Sequence, residues 1–378
     1  MNSWDAIVVG AGIVGLSLAL ELNKQGLRVL VVEKGEPGRE ASWAAGGMLA
    51  DFPADTPPRL RELATASARM YPEFVCGLEE QSGLKIDLRS VGTLVLSRVE
   101  NGLRPVLAGP FGSAQGRLRP ATTQAYALPR PLAELEPALR DADATSPQFT
   151  ALYAQERCVD PRHLTSAAIA AARHCGVEFS SGDQVLAVEV ANGKASGVRT
   201  SKTQFAARMV VNCAGAWAGQ IPPHRFPTRP VKGQMLCVVM PDKELVRHVV
   251  RTSGWTPDVY LIPRSDGRLV IGATQEEAGF DKQTLPGTIQ KLRQAAINLA
   301  PKLAEARILE AWAGLRPGSP DNLPILGPTP TPGYFVATGH FRDGILLAPV
   351  TAKLMAQVIL GQKPEFDLEV FGAERFES

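Results

Sequence analysis

The hydrophobic pattern opens with an unbroken apolar run, Ala6 to Val9, with no polar alternation, as a strand buried on both faces requires. A helical stretch follows over Ile13 to Lys24, ended by Gly26, and a second strand runs from Arg28 to Glu33. Helical spacing returns at about Leu60 to Ser82 and in the short "RPLAELEPAL". It returns again in the Ala-rich segment opened by Asp160 and Pro161, at about Pro286 to Leu299, and over Gly344 to Leu360. Strand-like segments lie near Val91 to Ser97, at Met209 to Cys213, from Val231 to Met240, from Val259 to Ala273 and in "GYFVATG". The pair Asn192–Gly193 between two such segments reads as a hairpin turn, and the Gly/Pro-rich Asn101 to Pro120 as a surface loop. Both ends of the chain are α/β and the middle is richer in strands, so a nucleotide fold interrupted by a second domain is expected.

Between the first strand and helix, Gly10, Gly12 and Gly15 complete G-x-G-x-x-G, with Ile13 and Val14 inside the motif. Gly10 suits the tight turn, Gly12 lets backbone approach a pyrophosphate, and Gly15 permits close helix–sheet packing. The helix N-terminus offers free N–H groups to phosphates. Glu33, at the end of the second strand, is placed to accept hydrogen bonds from a ribose; the alternative is a solvated strand-end acid. A lone motif of this kind is weak, but here strand, helix and acid all stand in place. The small residues of "EASWAAGGMLA", Glu40 to Ala50, suit contact with a bulky planar ligand and favour a flavin over a nicotinamide.

Composition narrows the classes. Hydrophobic residues make up 45% and charged residues 21%, with a formal charge of +2, which gives no reason to expect nucleic acid or a membrane surface as partner. The five cysteines are scattered without a C-x-x-C pair, so no metal site is expected, and reduced thiols in a cytoplasmic protein fit. No signal-like segment opens the chain and no apolar stretch reaches 18 residues. Two arginines stand out in Gly/Pro-punctuated apolar runs, Arg316 and Arg342, and a cation in such a setting needs an anionic partner. That partner is either a ligand or an internal acid such as Asp321 or Asp343.

The chain resembles the D-amino-acid-oxidase-like flavoproteins, and within them the glycine oxidase group of thiamine-thiazole synthesis. The resemblance spans nearly the whole chain. It rests on the glycine motif, "AAGGML" (Ala44 to Leu49), "VVNCAGAWA" (Val210 to Ala218), "YLIPRSDGRLVIGAT" (Tyr260 to Thr274), "WAGLRPG" (Trp312 to Gly318) and "GHFRDGILLAP" (Gly339 to Pro349). It implies a Rossmann-like FAD-binding domain, residues 1–84, 150–220 and 315–378, interrupted by a strand-rich α+β substrate domain, residues 85–149 and 221–314. It implies oxidation of glycine or a small glycine-like amine to an imine, by hydride transfer to flavin N5. The imine would hydrolyse to glyoxylate and ammonia or amine, and dioxygen would become hydrogen peroxide. A homo-oligomer, a tetramer in the family, is also implied.

Carried over residue by residue, the match places Gly10, Gly12, Ile13, Val14 and Gly15 around FAD, with Glu33 and Lys34. Ser42, Ala45, Gly46, Gly47 and Met48 join them, as do Val185 and the run His340, Phe341, Arg342, Asp343, Gly344, Ile345 and Leu346. Met48, Tyr260, Gln275, Arg316 and Arg342 would form the substrate shell, with Arg316, Tyr260 and Arg342 acting on substrate. Arg316 is the better candidate for a substrate carboxylate, which a guanidinium takes through two parallel hydrogen bonds. Tyr260 would donate its hydroxyl to the same carboxylate; the alternative is a core tyrosine. His340 would tune the flavin or be a satisfied loop histidine. No cysteine follows Cys237, whereas relatives with covalent flavin use one late in the chain, so FAD is expected to be non-covalent.

The chain departs from the pattern at Gln275, where the group has methionine, and at Asp258, where it has histidine. Both are expected beside the amine, which leaves sarcosine, iminodiacetate and other N-substituted glycines open. A dehydrogenase using a quinone acceptor, a tRNA-base oxidising domain and a flavin-binding protein without catalysis are the competing classes.

Overall fold

The computed structural model describes residues 3–51, 56–98, 128–139 and 149–376; the loop expected at Asn101 to Pro120 lies outside them. Among the described residues the strands form three sheets. The first runs in the order Ile325–Pro328, Tyr334–Thr338, Gln204–Asn212, Ser3–Val9, Val29–Glu33, Glu178–Ser181. Ser3–Val9 pairs in parallel with both of its neighbours. Its apolar run has a direct cause: Ala6 and Val8 join one core, with the helices Ile13–Lys24 and Gly344–Ile359, while Ile7 and Val9 join a second core on the other face. The expected hairpin is present as Val185–Ala191 and Lys194–Thr200, with Asn192 and Gly193 both at positive φ, as a tight turn of this type requires.

The second sheet runs Arg307–Gly318, Arg229–Val239, Arg268–Gly272, Tyr260–Pro263, Val249–Ser253, Thr93–Arg98, Phe149–Ala154. Strand periodicity divides its side chains. Leu236, Val238, Leu261, Leu269 and Ile271 pack with the helix Pro286–Leu299. Met235, Cys237, Ile262 and Val270 face the other way, with Ala44 and Trp312, and Met48 and Tyr260 pack against them. Two differences from the sequence reading follow from this sheet. Val259 to Ala273 is a hairpin of two strands, not one run. The twelve-residue strand Arg307–Gly318 was not expected: it is an edge strand whose first three residues are exposed, so it lacks the alternation that marks a strand, and Pro317 is tolerated at an edge. Residues 150–154 and 315–318 accordingly hydrogen-bond within the second sheet.

The helix Gly344–Ile359 carries Pro349 in its interior. Proline has no N–H, so the carbonyl of Ile345, four residues earlier, loses its ordinary intrahelical donor. The Tyr71 hydroxyl replaces it, donating to Ile345 O at 2.5 Å. Beside it the Ser67 hydroxyl donates to Leu346 O at 2.6 Å and accepts the Val350 N–H at 3.4 Å. Both side chains are fully buried and come from the helix Arg61–Ser82. That helix therefore supplies the hydrogen bond that the proline removes, and Ser67 adds two more beside it. Tyr71→Phe should leave a buried carbonyl without its donor and cost about 1–3 kcal/mol. Denaturant unfolding should show a lower midpoint with unchanged slope; an unaltered midpoint would mean the carbonyl finds another donor.

Candidate active site

A cavity of about 440 Å³ opens at the carboxyl ends of the parallel strands. Gly10 follows Ser3–Val9, Glu33 ends Val29–Glu33, Cys213 follows Gln204–Asn212 and His340 lies just past Tyr334–Thr338, and all four line it. Ligands of open α/β sheets bind in this crevice. The Met235 and Tyr260 face of the second sheet forms the opposite wall.

The glycine motif fits a dinucleotide on geometric grounds. A Cβ on Gly10 would meet Cys213 O at 2.6 Å, and one on Gly15 would run into Gly10 O. Gly15 therefore serves helix–strand packing and does not line the cavity. Gly12 differs: the only neighbour its Cβ would meet is Ser42 Oγ at 3.3 Å, so this glycine leaves room on the cavity side for a ligand to approach the backbone. The helix Ile13–Lys24 has no side-chain cap from its N-cap residue, though Ser42 Oγ accepts the Ile13 N–H at 2.9 Å. The helix Gly344–Ile359 likewise starts at the cavity without a side-chain cap bond from Asp343. Two helix N-termini thus present positive dipole ends to one cavity.

Glu33 is buried and already accepts the Ala11 N–H at 2.8 Å and the Gly35 N–H at 3.0 Å. It latches the glycine turn to the strand end, and a carboxylate retains further lone pairs for hydroxyls on the cavity side. Lys34 Nζ sits 3.0 Å from the centroid of the Trp217 ring, and both residues line the cavity. Burial pulls the Lys34 ammonium below its ordinary value, with Glu40 and Glu33 opposing. Ile13, Val14, Ala45, Gly46, Gly47, Met48, Val185, Phe341, Arg342, Asp343 and Ile345 are on the cavity wall as well, whereas Leu346 is buried in the core behind it. His340 is buried, shares a hydrogen bond with Thr351 Oγ1 at 3.1 Å, and is pushed down to about 4 by burial, so it is a neutral imidazole near pH 7.

The second sheet builds the other half. Trp312, Met235, Gly272, Tyr260 and Arg251 stand side by side across five strands by pairing register. Gly272 makes room for the phenol: a Cβ there would meet the Tyr260 ring at 2.6 Å. Tyr260 Oη lies 3.6 Å from Met235 Sδ. Burial pushes the phenol up, Arg316 pulling the other way, so the hydroxyl keeps its proton. Gly233 plays the same part for Arg316, whose guanidinium a Cβ would strike. Arg316 is half-buried, deep in the protein with surface on the cavity wall. Its Nη1 donates to Thr274 O at 3.1 Å and to Lys232 O at 3.4 Å. Among the described residues no carboxylate forms a salt bridge with it; Asp321 pairs with Arg375 instead, at 2.9 Å. Burial pulls the guanidinium below its ordinary value, opposed by Tyr260 and the more distant Glu276. Arg342 is exposed at the cavity rim on the loop before the last helix. Arg264 ties the halves together, donating to Gly46 O at 2.6 Å and to Val159 O at 3.1 Å.

Gln275 requires a correction. It is exposed and does not line the cavity. Thr274 accepts the Gln234 N–H at 2.9 Å, and Glu276 exchanges both backbone hydrogen bonds with Lys232. The residue between these two inward anchors is turned to solvent. Asp258, expected beside the amine, is on the wall, and so are Arg251 and Thr252, which were not expected. Arg251, in the apolar run "HVVRTSGW", was the available signal. Among the described residues no group of three or more His, Cys, Asp or Glu is placed to hold a metal ion, and no helix is long and apolar enough to cross a membrane.

Comparison with known proteins agrees with this geometry. A sequence profile for the DAO family, FAD dependent oxidoreductases, matches residues 5–358. A glycine oxidase of Pseudomonas aeruginosa is 33% identical over 375 residues, covering 96% of this chain and 96% of that protein. A bifunctional protein ThiO/ThiG of Synechocystis sp. is 34% identical over 375 residues, covering 98% of this chain but 54% of that protein, so this chain spans about half the length of such relatives. The crystal structure of glycine oxidase from Geobacillus kaustophilus superposes with a TM-score of 0.84 at 30% identity, covering 99% of each chain.

Two outcomes are expected from this site. The thiol of Cys213, the cysteine on the cavity wall, is pushed up to about 12 by burial and stays protonated, so it cannot act as a nucleophile toward a flavin. Acid precipitation should leave the yellow colour in the supernatant; colour in the pellet would mean a covalent bond. Gln275→Met should leave relative kcat/KM values across small amines unchanged within roughly twofold, as for other surface changes. A larger shift would place the side chain in the pocket during turnover.

Proposed function

The chain belongs to the DAO family of FAD dependent oxidoreductases, and from that premise we propose that it oxidises glycine or an N-substituted glycine to the imine, with dioxygen as electron acceptor. The observation that carries this reading is Arg316: a guanidinium deep in the cavity wall, held by two backbone carbonyls and lacking an internal carboxylate among the described residues. A cation so placed calls for an anion from outside, and its planar fork suits a carboxylate in two parallel hydrogen bonds. Bound FAD would supply the two-electron acceptor for the amine's Cα–H, and reduction of dioxygen would give hydrogen peroxide. FAD would be held by the glycine turn, Glu33 and the two helix N-termini.

The chain's own groups bind and orient. Arg316 takes the substrate carboxylate, and Tyr260, protonated and beside it, donates a second hydrogen bond. Met48 and Met235 wall the reacting carbon, and Arg342 adds positive potential at the rim. Fixing the carboxylate fixes the Cα–H, and orientation of this kind is worth several kcal/mol. No side chain need remove a proton from carbon. The imine leaves to hydrolyse to glyoxylate and ammonia or amine.

Arg316→Ala should fold and retain FAD but lose most activity. Removing one partner of a desolvated charge pair costs about 2–5 kcal/mol, so kcat/KM should fall roughly 30- to several-thousand-fold. Arg316→Lys should recover little, because an ammonium lacks the fork. Glycolate inhibition should weaken in parallel. Melting temperature, flavin content and glycolate affinity are to be measured on one sample. A folded, yellow Arg316→Ala protein that binds glycolate normally would end the carboxylate reading.

A further inference from the structure

We propose that Asp258 contacts the nitrogen side of the substrate and sets specificity there, favouring an ammonium or cationic N-substituent and rejecting one that carries a second carboxylate. The inference rests on the reading of Arg316 as the carboxylate site and extends it to the other end of the substrate.

Placement comes first. Val259 is buried in the core shared with Leu261, while Tyr260, the next residue, faces the cavity. Thr252 fixes this part of the chain: its backbone N–H donates to Val259 O at 2.9 Å and its hydroxyl accepts the Val259 N–H at 2.8 Å. Alternation then puts Asp258 on the same side as Tyr260, about 7 Å further along extended backbone. Asp258 does line the cavity, half-buried.

Charge comes second. Asp258 Oδ1 accepts the Trp255 N–H at 2.9 Å and lies 3.4 Å from Thr252 Oγ1. Among the described residues no Lys, Arg or His forms a salt bridge with it. Burial raises its carboxyl above the ordinary value, the hydrogen bonds from Trp255, Gly254 and Thr252 oppose this, and no cation is among the causes. The other charges on this wall are accounted for differently. Arg251, opposite Tyr260, is ion-paired with Glu156 at 3.4 Å, and Arg342 is at the rim. Among the described residues this wall therefore offers Arg316, beside Tyr260, and Asp258, two residues before Tyr260 on the same face, each without a counter-charge in a salt bridge. That arrangement is complementary to a zwitterion. It also suits a nitrogen that becomes cationic as its neighbouring carbon loses hydride. An N-carboxyalkyl substituent would set its carboxylate against Asp258 at low dielectric, where like charges repel strongly.

A merely structural Asp258 would hold the turn through Trp255, and an asparagine does that equally well. Asp258→Asn therefore removes the charge and keeps the acceptor. The test uses flavin-replete protein and two ligands that have no amine to oxidise: methoxyacetate, with one carboxylate, and diglycolate, which carries a second one across the ether oxygen. Affinities are read by calorimetry, with melting temperature on the same samples. The wild type should bind methoxyacetate and bind diglycolate roughly 10- to 200-fold less tightly, the range that one unfavourable contact commands. Asp258→Asn should leave methoxyacetate within about twofold and bring diglycolate close to it. Wild-type protein that binds both ligands alike would overturn the proposal without any variant. So would a folded Asp258→Asn protein with the wild-type ratio. Wild-type protein that binds neither would instead remove the Arg316 reading, and this inference with it.

Discussion

A guanidinium set deep in the protein, with no carboxylate in a salt bridge to it among the described residues, is the constraint around which the second sheet's side of the cavity is arranged. Backbone carbonyls of Lys232 and Thr274 hold one nitrogen of Arg316 but do not neutralise the charge. Neighbouring acids are bonded to other groups, Asp321 to Arg375, Asp281 to Lys232 and Glu276 to Gln234, and Glu276 acts on Arg316 without a salt bridge. The last two of these contacts pin the strand and loop whose carbonyls face the guanidinium. Gly233 keeps its space clear, and the register of the second sheet sets Tyr260 where burial preserves its proton. The placement of Arg316, on which the proposed carboxylate site rests, is thus maintained by many contacts, none of which need touch a ligand.

The nucleotide half was legible because its information is local. Strand, glycine turn, helix and acid fall within one short stretch, and each residue type answers to a steric or hydrogen-bonding need. Even there one role was hidden: Glu33 also ties down the Ala11 and Gly35 N–H groups, which depends on the turn closing back upon the strand. The buried character of Ser3–Val9 was readable, since alternate residues feed two cores.

The second-sheet side of the cavity was legible in its residues and not in their arrangement. Arg316 and Tyr260 could be picked out, but their proximity is a matter of strand register across a sheet built from distant segments. Arg307–Gly318 escaped notice because an edge strand need not alternate. Gln275 was misplaced for a related reason. Its neighbours Thr274 and Glu276 turn inward only through their bonds to Gln234 and Lys232, some 40 residues earlier, a relation that no local window contains. Arg264, which joins the hairpin of one sheet to the Gly46 backbone beside the nucleotide motif, is invisible in the same way.

The proline in the last helix carries a different kind of consequence. Ile345 O is served by the Tyr71 hydroxyl because Pro349 cannot serve it, and a carbonyl oxygen has room for two donors. Replacing the proline first would restore the helical N–H and make the hydroxyl redundant; replacing the tyrosine first would strand the carbonyl. The two positions are therefore epistatic with a direction. A lineage descending from this sequence can give up Pro349 and afterwards Tyr71, but the reverse order passes through a weakened intermediate, so history at this helix runs more easily one way than the other.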